Sequence, residues 1–207
     1  MAKSKSSNRW LSEHFDDHYV KMAQQKGLRS RSAFKLLELL EKYQLIKPGM
    51  TVVDLGSAPG GWCQVAQPAV GASGKVLALD ILEMDPVHGV KFIHGDFTED
   101  GPLRALEAAL DGKAVDLVLS DMAPNMSGMA TIDQAKAMYL AELALEFVKA
   151  HLKPGGDFVV KLFQGTDFDA YVREVRKVFK KVQARKPKAS RPRSREVYLL
   201  ARDRQVE

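Results

Sequence analysis

At 207 residues, with 45% hydrophobic and 28% charged content, the chain has the length and composition of one domain with a substantial core. No apolar run approaches the roughly 18 to 20 residues that span a bilayer, and the N-terminal MAKSKSSNRW lacks the apolar stretch of a secretion signal, so a cytoplasmic protein without membrane association is expected. A single cysteine, Cys63, excludes an internal disulfide and a multi-cysteine metal site, and the net charge of +5 points to an anionic partner only if the charge is clustered.

In chain order, Ser30 or Ser32 caps a helix carrying Ala33, Phe34, Leu36, Leu37, Leu39 and Leu40, which ends near Tyr43 before Lys47-Pro48-Gly49. The first strand, TVVDL, runs into a glycine-rich turn. Gly60 and Gly61 open a short helix through Trp62, Val65 and Ala66 that Pro68 is expected to stop. KVLALD at 75 to 80 and VKFIHGD, ending at Asp96, read as the second and third strands, and a helix follows Pro102 through Leu110. The fourth strand, VDLVLSD, ends at Asp121. A loop with Pro124, Asn125, Ser127 and Gly128 leads to a long helix from about Asp133 to Leu152, broken by Pro154-Gly155-Gly156. The fifth strand is DFVVKLF with Lys161 among apolar neighbours, and a helix spans Phe168 to Phe179. Two last strands, KVQAR and VYLLARD, flank the basic stretch KPKASRPRSR. Strands alternating with helices predict a Rossmann-like α/β fold with a mostly parallel sheet, closed by an antiparallel C-terminal hairpin.

The run VVDLGSAPGGW at 52 to 62 joins strand, glycine-rich turn and helix, where a nucleotide-like cofactor docks. Gly56 and Gly60 remove side chains that would block a ligand from the backbone. The spacing is GxxxGG with Asp54 already at the strand end, unlike the pyrophosphate-cradling GxGxxG. A carboxylate there repels phosphate and suits a cationic, hydroxyl-bearing ligand; S-adenosylmethionine, with a sulfonium, an ammonium and no phosphate, fits. Taken singly, Asp54, Asp80, Asp96 and Asp121 are each as readily helix caps, but four in successive βα units converge on the ligand side of a parallel sheet. Asp80 lies where ribose hydroxyls are held, Asp96 with Phe97 suits an adenine amino group and ring, and Asp121 stands where cofactor and substrate meet.

Residues 171 to 195 hold eleven basic residues and one acidic, and residues 1 to 31 hold seven and three, so the middle of the chain is acidic. Basic ends on an acidic centre predict a polyanion partner. Arg185, Lys186, Lys188, Arg191, Arg193 and Arg195 immediately precede Glu196, and Arg29 and Arg31 extend the same character. Among N-terminal aromatics, Trp10, Phe15 and Tyr19 are expected to pack a helix more than to stack on bases. His14 and His18 share an i, i+4 face without a third ligand, so no metal site is expected.

SRSAFKL around Lys35, DLGSAPGGW, Asp80, GDF at 95 to 97, SDMAPNMSG at 120 to 128, VVKLFQG at 159 to 165 and SREVYLLA at 194 to 201 fall in order on these strand ends. Together they resemble the FtsJ/RrmJ family of large-subunit ribosomal RNA ribose 2'-O-methyltransferases over nearly the whole chain. The resemblance implies a seven-stranded methyltransferase sheet, S-adenosylmethionine as cofactor, Trp62 beside it, and a catalytic tetrad of Lys35, Asp121, Lys161 and Glu196. It further implies a uridine of 23S ribosomal RNA as target, within the large ribosomal subunit. Residues 1–30 are then a basic, RNA-facing extension of a single methyltransferase domain at 31–207, acting as a monomer. Lys161 either accepts the hydroxyl proton as a neutral amine, favoured by desolvation and Lys35, or stays charged and stabilises the alkoxide. A transfer RNA methyltransferase and a non-catalytic ribosome assembly factor are the competing readings; a nicotinamide dehydrogenase is disfavoured by the loop spacing.

Overall fold

The structure, a computed structural model, describes residues 17–206. Asp17 caps α1 (His18–Gln25) by accepting the Tyr19 N–H at 3.0 Å. In α2 (Ala33–Tyr43) the apolar positions recur on one face, and Gln44 closes the helix in the left-handed region, its N–H reaching the Leu40 carbonyl. Then follow β1 (Thr51–Leu55), α3 (Gly61–Val70), β2 (Lys75–Asp80), β3 (Val90–His94), α4 (Asp100–Leu110), β4 (Val115–Ser120), α5 (Ala130–His151), β5 (Leu152–Phe163), α6 (Phe168–Val178), β6 (Phe179–Arg185) and β7 (Glu196–Arg204).

The seven strands form one sheet in the order β3-β2-β1-β4-β5-β7-β6. The five strands β1 to β5 pair in parallel, and β7 inserts antiparallel between β5 and β6, so the C-terminal hairpin expected from the sequence is present. Strand alternation divides the core. Val53, Leu55 and Val118 point to the face covered by α4, α5 and α6, where Leu106, Phe147 and Val175 are buried. Val52, Leu117 and Leu119 point to the other face, under Leu36 and Leu39 of α2 and Trp62 and Val65 of α3. Burial on both faces is why the central strands read as continuous apolar runs.

Three boundaries differ from the sequence reading. Helix α3 continues through Pro68 to Val70, because a proline in the last turn forfeits one helical hydrogen bond without preventing two further residues from turning. Strand β5 begins at Leu152, with Lys153 to Gly156 looped out between its pairings to Val115 and Leu117. Helix α5 begins at Ala130, and Asp133 in its first turn accepts the Ser127 N–H (2.8 Å), the Ser127 hydroxyl (2.7 Å) and the Gly128 N–H (3.1 Å). Those bonds fix the loop that follows β4.

Among the described residues no helix is long and apolar enough to cross a membrane. Lys3, Lys5, Arg9, Trp10, His14 and Phe15 lie outside the described residues. Tyr19 packs on Phe34 with ring centroids 5.5 Å apart, which docks α1 onto α2.

Candidate active site

Beyond the carboxyl ends of β1, β2 and β4 lies a cavity of about 400 Å³. Gly56, Asp80, Asp96, Phe97 and Asp121 line it together with the exposed Ile81 and Leu82. Gly56 has φ +77°, and a Cβ there would stand 2.7 Å from the Met122 backbone, so a side chain at this turn meets both strain and a clash. Asp80 is fixed by two backbone donors, Ala58 N–H to Oδ2 and Leu82 N–H to Oδ1, each 2.8 Å. Asp96 Oδ1 accepts the Thr98 N–H at 2.8 Å and its hydroxyl at 2.7 Å. Two oriented carboxylates on an otherwise mainly apolar wall form a donor-seeking slot for a nucleoside with hydroxyl and amino groups. They would repel a pyrophosphate.

Three residues expected at the cofactor stand behind this wall. Gly60 is buried with φ +105°, packed against Arg29 and Met84. The Trp62 indole is 2% exposed and donates to the Ser32 carbonyl at 2.8 Å, joining α3 to the start of α2. Asp54 is fully buried and accepts from the Cys63 thiol at 3.2 Å. Burial raises its pKa to about 7, opposed by the Cys63 hydrogen bond and reinforced by the charges of Asp121 and Asp80. Burial likewise pushes the Cys63 thiol up, so its role is packing and donation.

The folded state therefore binds a proton at Asp54 more tightly than the unfolded chain, where such a group titrates near 3.8. Its contribution to stability is greatest below pH 4 and is lost as pH rises to about 7. Asp54→Asn, which removes the titration, is expected to raise stability at pH 8 by about 2 kcal/mol and to flatten its dependence between pH 4 and 7. Urea unfolding across that range checks this; parallel profiles for the two proteins would contradict it.

The four tetrad residues come together at one end of the cavity. Asp121 follows β4, and its N–H bonds the Leu55 carbonyl at 3.0 Å. In the next strand, Lys161 sits opposite Tyr198 of β7, and period-two alternation puts Glu196 on the same face as Tyr198. Lys35 reaches that face from α2 and is 6% exposed. Its Nζ lies 2.5 Å from Glu196 Oε1 and donates to the Tyr198 hydroxyl at 3.2 Å. The Tyr198 hydroxyl donates to Asp121 Oδ1 at 2.8 Å, and Lys161 Nζ reaches the same oxygen at 3.0 Å and the Asp121 carbonyl at 2.6 Å. A continuous chain thus runs Glu196, Lys35, Tyr198, Asp121, Lys161, with two cations balancing two anions, as buried charges require.

Tyr198 is the member that sequence reasoning missed. It is wholly buried, and burial, followed by the neighbouring charges of Asp121 and Glu196, lifts its pKa well above the ordinary range, so it remains a neutral donor. The available signal was its position two residues after Glu196 in a strand. Asp121 is the only tetrad residue that also lines the cavity, so it joins the cavity to the buried network.

The basic loop is partly committed to its own fold. Lys186 donates to the Pro192 (3.1 Å) and Ser194 (2.7 Å) carbonyls, Arg195 to the Gln164 carbonyl, and Arg185 bonds the Tyr43 hydroxyl. Asp17 holds Arg31 at 3.0 Å and Arg191 at 3.4 Å, and Glu38 receives the Lys188 N–H. Lys186, Lys188, Arg193 and Arg195 nevertheless remain exposed. Arg29 is bound elsewhere, to the carbonyls of Pro59 in the turn after β1 and of Asp85 and Pro86 in the loop after β2. Among the described residues no three His, Cys, Asp or Glu side chains converge to hold a metal.

A sequence profile described as FtsJ-like methyltransferase matches residues 28–204. The chain is 61% identical over 204 residues to a ribosomal RNA large subunit methyltransferase E of Chromobacterium violaceum, covering 99% of this chain and all of the relative. A protein of the same description from Pseudomonas aeruginosa is 59% identical over 202 residues, 98% of each chain. A crystal structure described as a ribosomal RNA methyltransferase of Plasmodium falciparum is similar with a TM-score of 0.77 and 29% identity, covering 86% of this chain and all of the other.

Proposed function

Because the chain belongs to the FtsJ-like methyltransferase family, we propose that it methylates the ribose 2'-hydroxyl of a uridine in 23S ribosomal RNA, with S-adenosylmethionine as donor and the assembled large subunit as substrate. Relatives near 60% identity over almost the entire chain are described as ribosomal RNA large subunit methyltransferases, which supports ribosomal RNA of the large subunit as the substrate class. The observation that carries the reading is Asp121, which lines the cavity and ties Lys161 into the buried network.

The donor set fits the cofactor. Asp80 and Asp96 supply oriented acceptors for ribose hydroxyls and an adenine amino group, Phe97, Ile81 and Leu82 supply apolar surface, and the Gly56 turn leaves no Cβ in the way. When bound, S-adenosylmethionine would supply the sulfonium methyl group that the ribose oxygen attacks, the S–CH3 bond breaking and S-adenosylhomocysteine leaving. Lys161, anchored by two acceptors on Asp121, holds the 2'-oxygen in line and as an ammonium stabilises its developing negative charge, while the Asp121 carboxylate takes up the proton that the oxygen loses. Lys35 and Glu196 fix this pair through Tyr198. Low exposure of both lysines strengthens every electrostatic contact made at the reacting oxygen.

Arg193, Arg195, Lys186 and Lys188 stand in the segment leading into Glu196, so phosphate contacts there would lie next to the chemistry. A large-subunit substrate would place the protein in the cytoplasm. The test is transfer of labelled methyl from S-adenosylmethionine to large subunits from cells lacking the modification, followed by nucleoside analysis. Recovery of 2'-O-methyluridine is expected. No incorporation, with cofactor binding demonstrated separately, would overturn the proposed reaction.

A further inference from the structure

Arg29 carries the same charge as the residues of the basic loop, and its guanidinium bridges backbone oxygens of two segments distant from it in sequence. Nη1 donates to the Asp85 carbonyl at 2.5 Å and to the Pro59 carbonyl at 3.2 Å, and Nη2 donates to the Pro86 carbonyl at 2.7 Å. The residue's own position is fixed: its N–H bonds Gln64 Oε1 at 2.8 Å, and Gln64 Nε2 returns to the Gly27 carbonyl at 3.0 Å. A single side chain therefore joins three segments, the approach to α2, the glycine-rich turn after β1 and the loop after β2.

Two of those segments build the cavity. Gly56 and Ala58 come from the turn, and Asp80, Ile81 and Leu82 open the loop whose later residues Arg29 holds. Glu83, Asp85 and Pro86 are exposed, whereas Met84 is buried beside Cys63. Gly60 is shaped to the same contact, since a Cβ there would lie 2.9 Å from Arg29 Nη1. Three of the five guanidinium N–H donors already serve carbonyls of these two segments, which fixes the plane of the side chain against them.

We propose that Arg29 is a positioning residue for the cofactor site, clamping the loop after β2 to the glycine-rich turn, and not an RNA phosphate contact. The role rests on the reading of the cavity as the S-adenosylmethionine site. Preorganising a loop lowers the ordering cost of binding, so loss of the clamp is read in cofactor affinity and not in the chemical step. A lysine keeps the charge but lacks the planar fork that spans three carbonyls, which separates geometry from charge.

The experiment compares the full-length chain with Arg29→Ala and Arg29→Lys by calorimetric titration of S-adenosylmethionine and by steady-state methyl transfer to undermethylated large subunits. Both variants are expected to weaken cofactor binding and raise its KM by about tenfold. At saturating cofactor, kcat is expected to stay within about twofold, and the KM for subunits and its salt dependence to match the wild type. Unchanged cofactor affinity, with subunit binding weakened and less salt-dependent in Arg29→Ala but retained in Arg29→Lys, would overturn the clamp in favour of a phosphate contact. If Arg29→Ala does not fold, loss of cofactor affinity in Arg29→Lys alone supports the clamp, and wild-type affinity in that variant overturns it. A wild-type chain that binds no S-adenosylmethionine overturns the cavity reading itself, a failure visible before any variant is measured.

Discussion

Replacing Lys161 with alanine is expected to lower the rate of methyl transfer about a thousandfold while leaving S-adenosylmethionine affinity within about twofold. A ribose hydroxyl is a poor nucleophile, and Lys161 Nζ, held by Asp121 Oδ1 at 3.0 Å and the Asp121 carbonyl at 2.6 Å, is the cation placed to manage the charge on its oxygen. Its side chain is 9% exposed, so water cannot substitute for it at low cost. Lys161 meets the cavity through Asp121, which the substitution leaves in place, while Gly56, Asp80, Asp96 and Phe97 line the rest of it, and this is why binding and turnover should separate. Single-turnover transfer and calorimetric titration on the same preparation test the separation. Normal turnover in Lys161→Ala would refute the assignment, and loss of both quantities together would move Lys161 into cofactor binding.

Tyr198→Phe should reduce kcat by about thirtyfold to a hundredfold with little change in the KM of either substrate. The substitution keeps the ring, which packs 5.7 Å from Trp62 and carries Lys35 Nζ 5.5 Å from its centroid. It deletes only the hydroxyl between Lys35 Nζ and Asp121 Oδ1. Both groups then lose a partner where solvent barely reaches, at a cost of about 1–3 kcal/mol in stability. A purely structural role would lower stability alone. A positioning role requires that Tyr198→Phe add little to the kinetic defect of Lys35→Ala, because both act on Asp121 through one chain of bonds. Full additivity of the two kinetic defects, or an unchanged kcat in the single variant, would remove Tyr198 from the working network.

The glycine-rich turn and the aspartates at successive strand ends were legible in the sequence because each depends on short-range pattern, whereas the tetrad was implied by the resemblance to a known family. Apolar runs mark strands buried on both faces, and glycine followed by a helix start marks a turn that a ligand approaches. Boundaries were less legible. Pro68 was read as a helix stop, and Leu152 as the end of a helix instead of the start of β5. Backbone pairing with β4 decided the second, which local preference cannot anticipate.

Residue chemistry and order along the chain determined the sheet class and the ligand side of the sheet, and the resemblance to a known family pointed to Lys35, Asp121, Lys161 and Glu196. Tertiary structure alone decided which like-charged or like-shaped residues do what. Arg29 and Arg195 look alike in sequence, but Arg29 joins the turn after β1 to the loop after β2 through the Pro59, Asp85 and Pro86 carbonyls, and the exposed Arg195 donates to the Gln164 carbonyl. Asp54 and Asp80 both sit at strand ends, but one is buried against Cys63 while the other lines the cavity. Tyr198 reads as one more apolar strand residue until β7, inserted antiparallel beside β5, sets it opposite Lys161. The physical reason is common to all three: composition and spacing fix what a side chain can do, whereas burial and partners from distant segments fix which of those capacities is used.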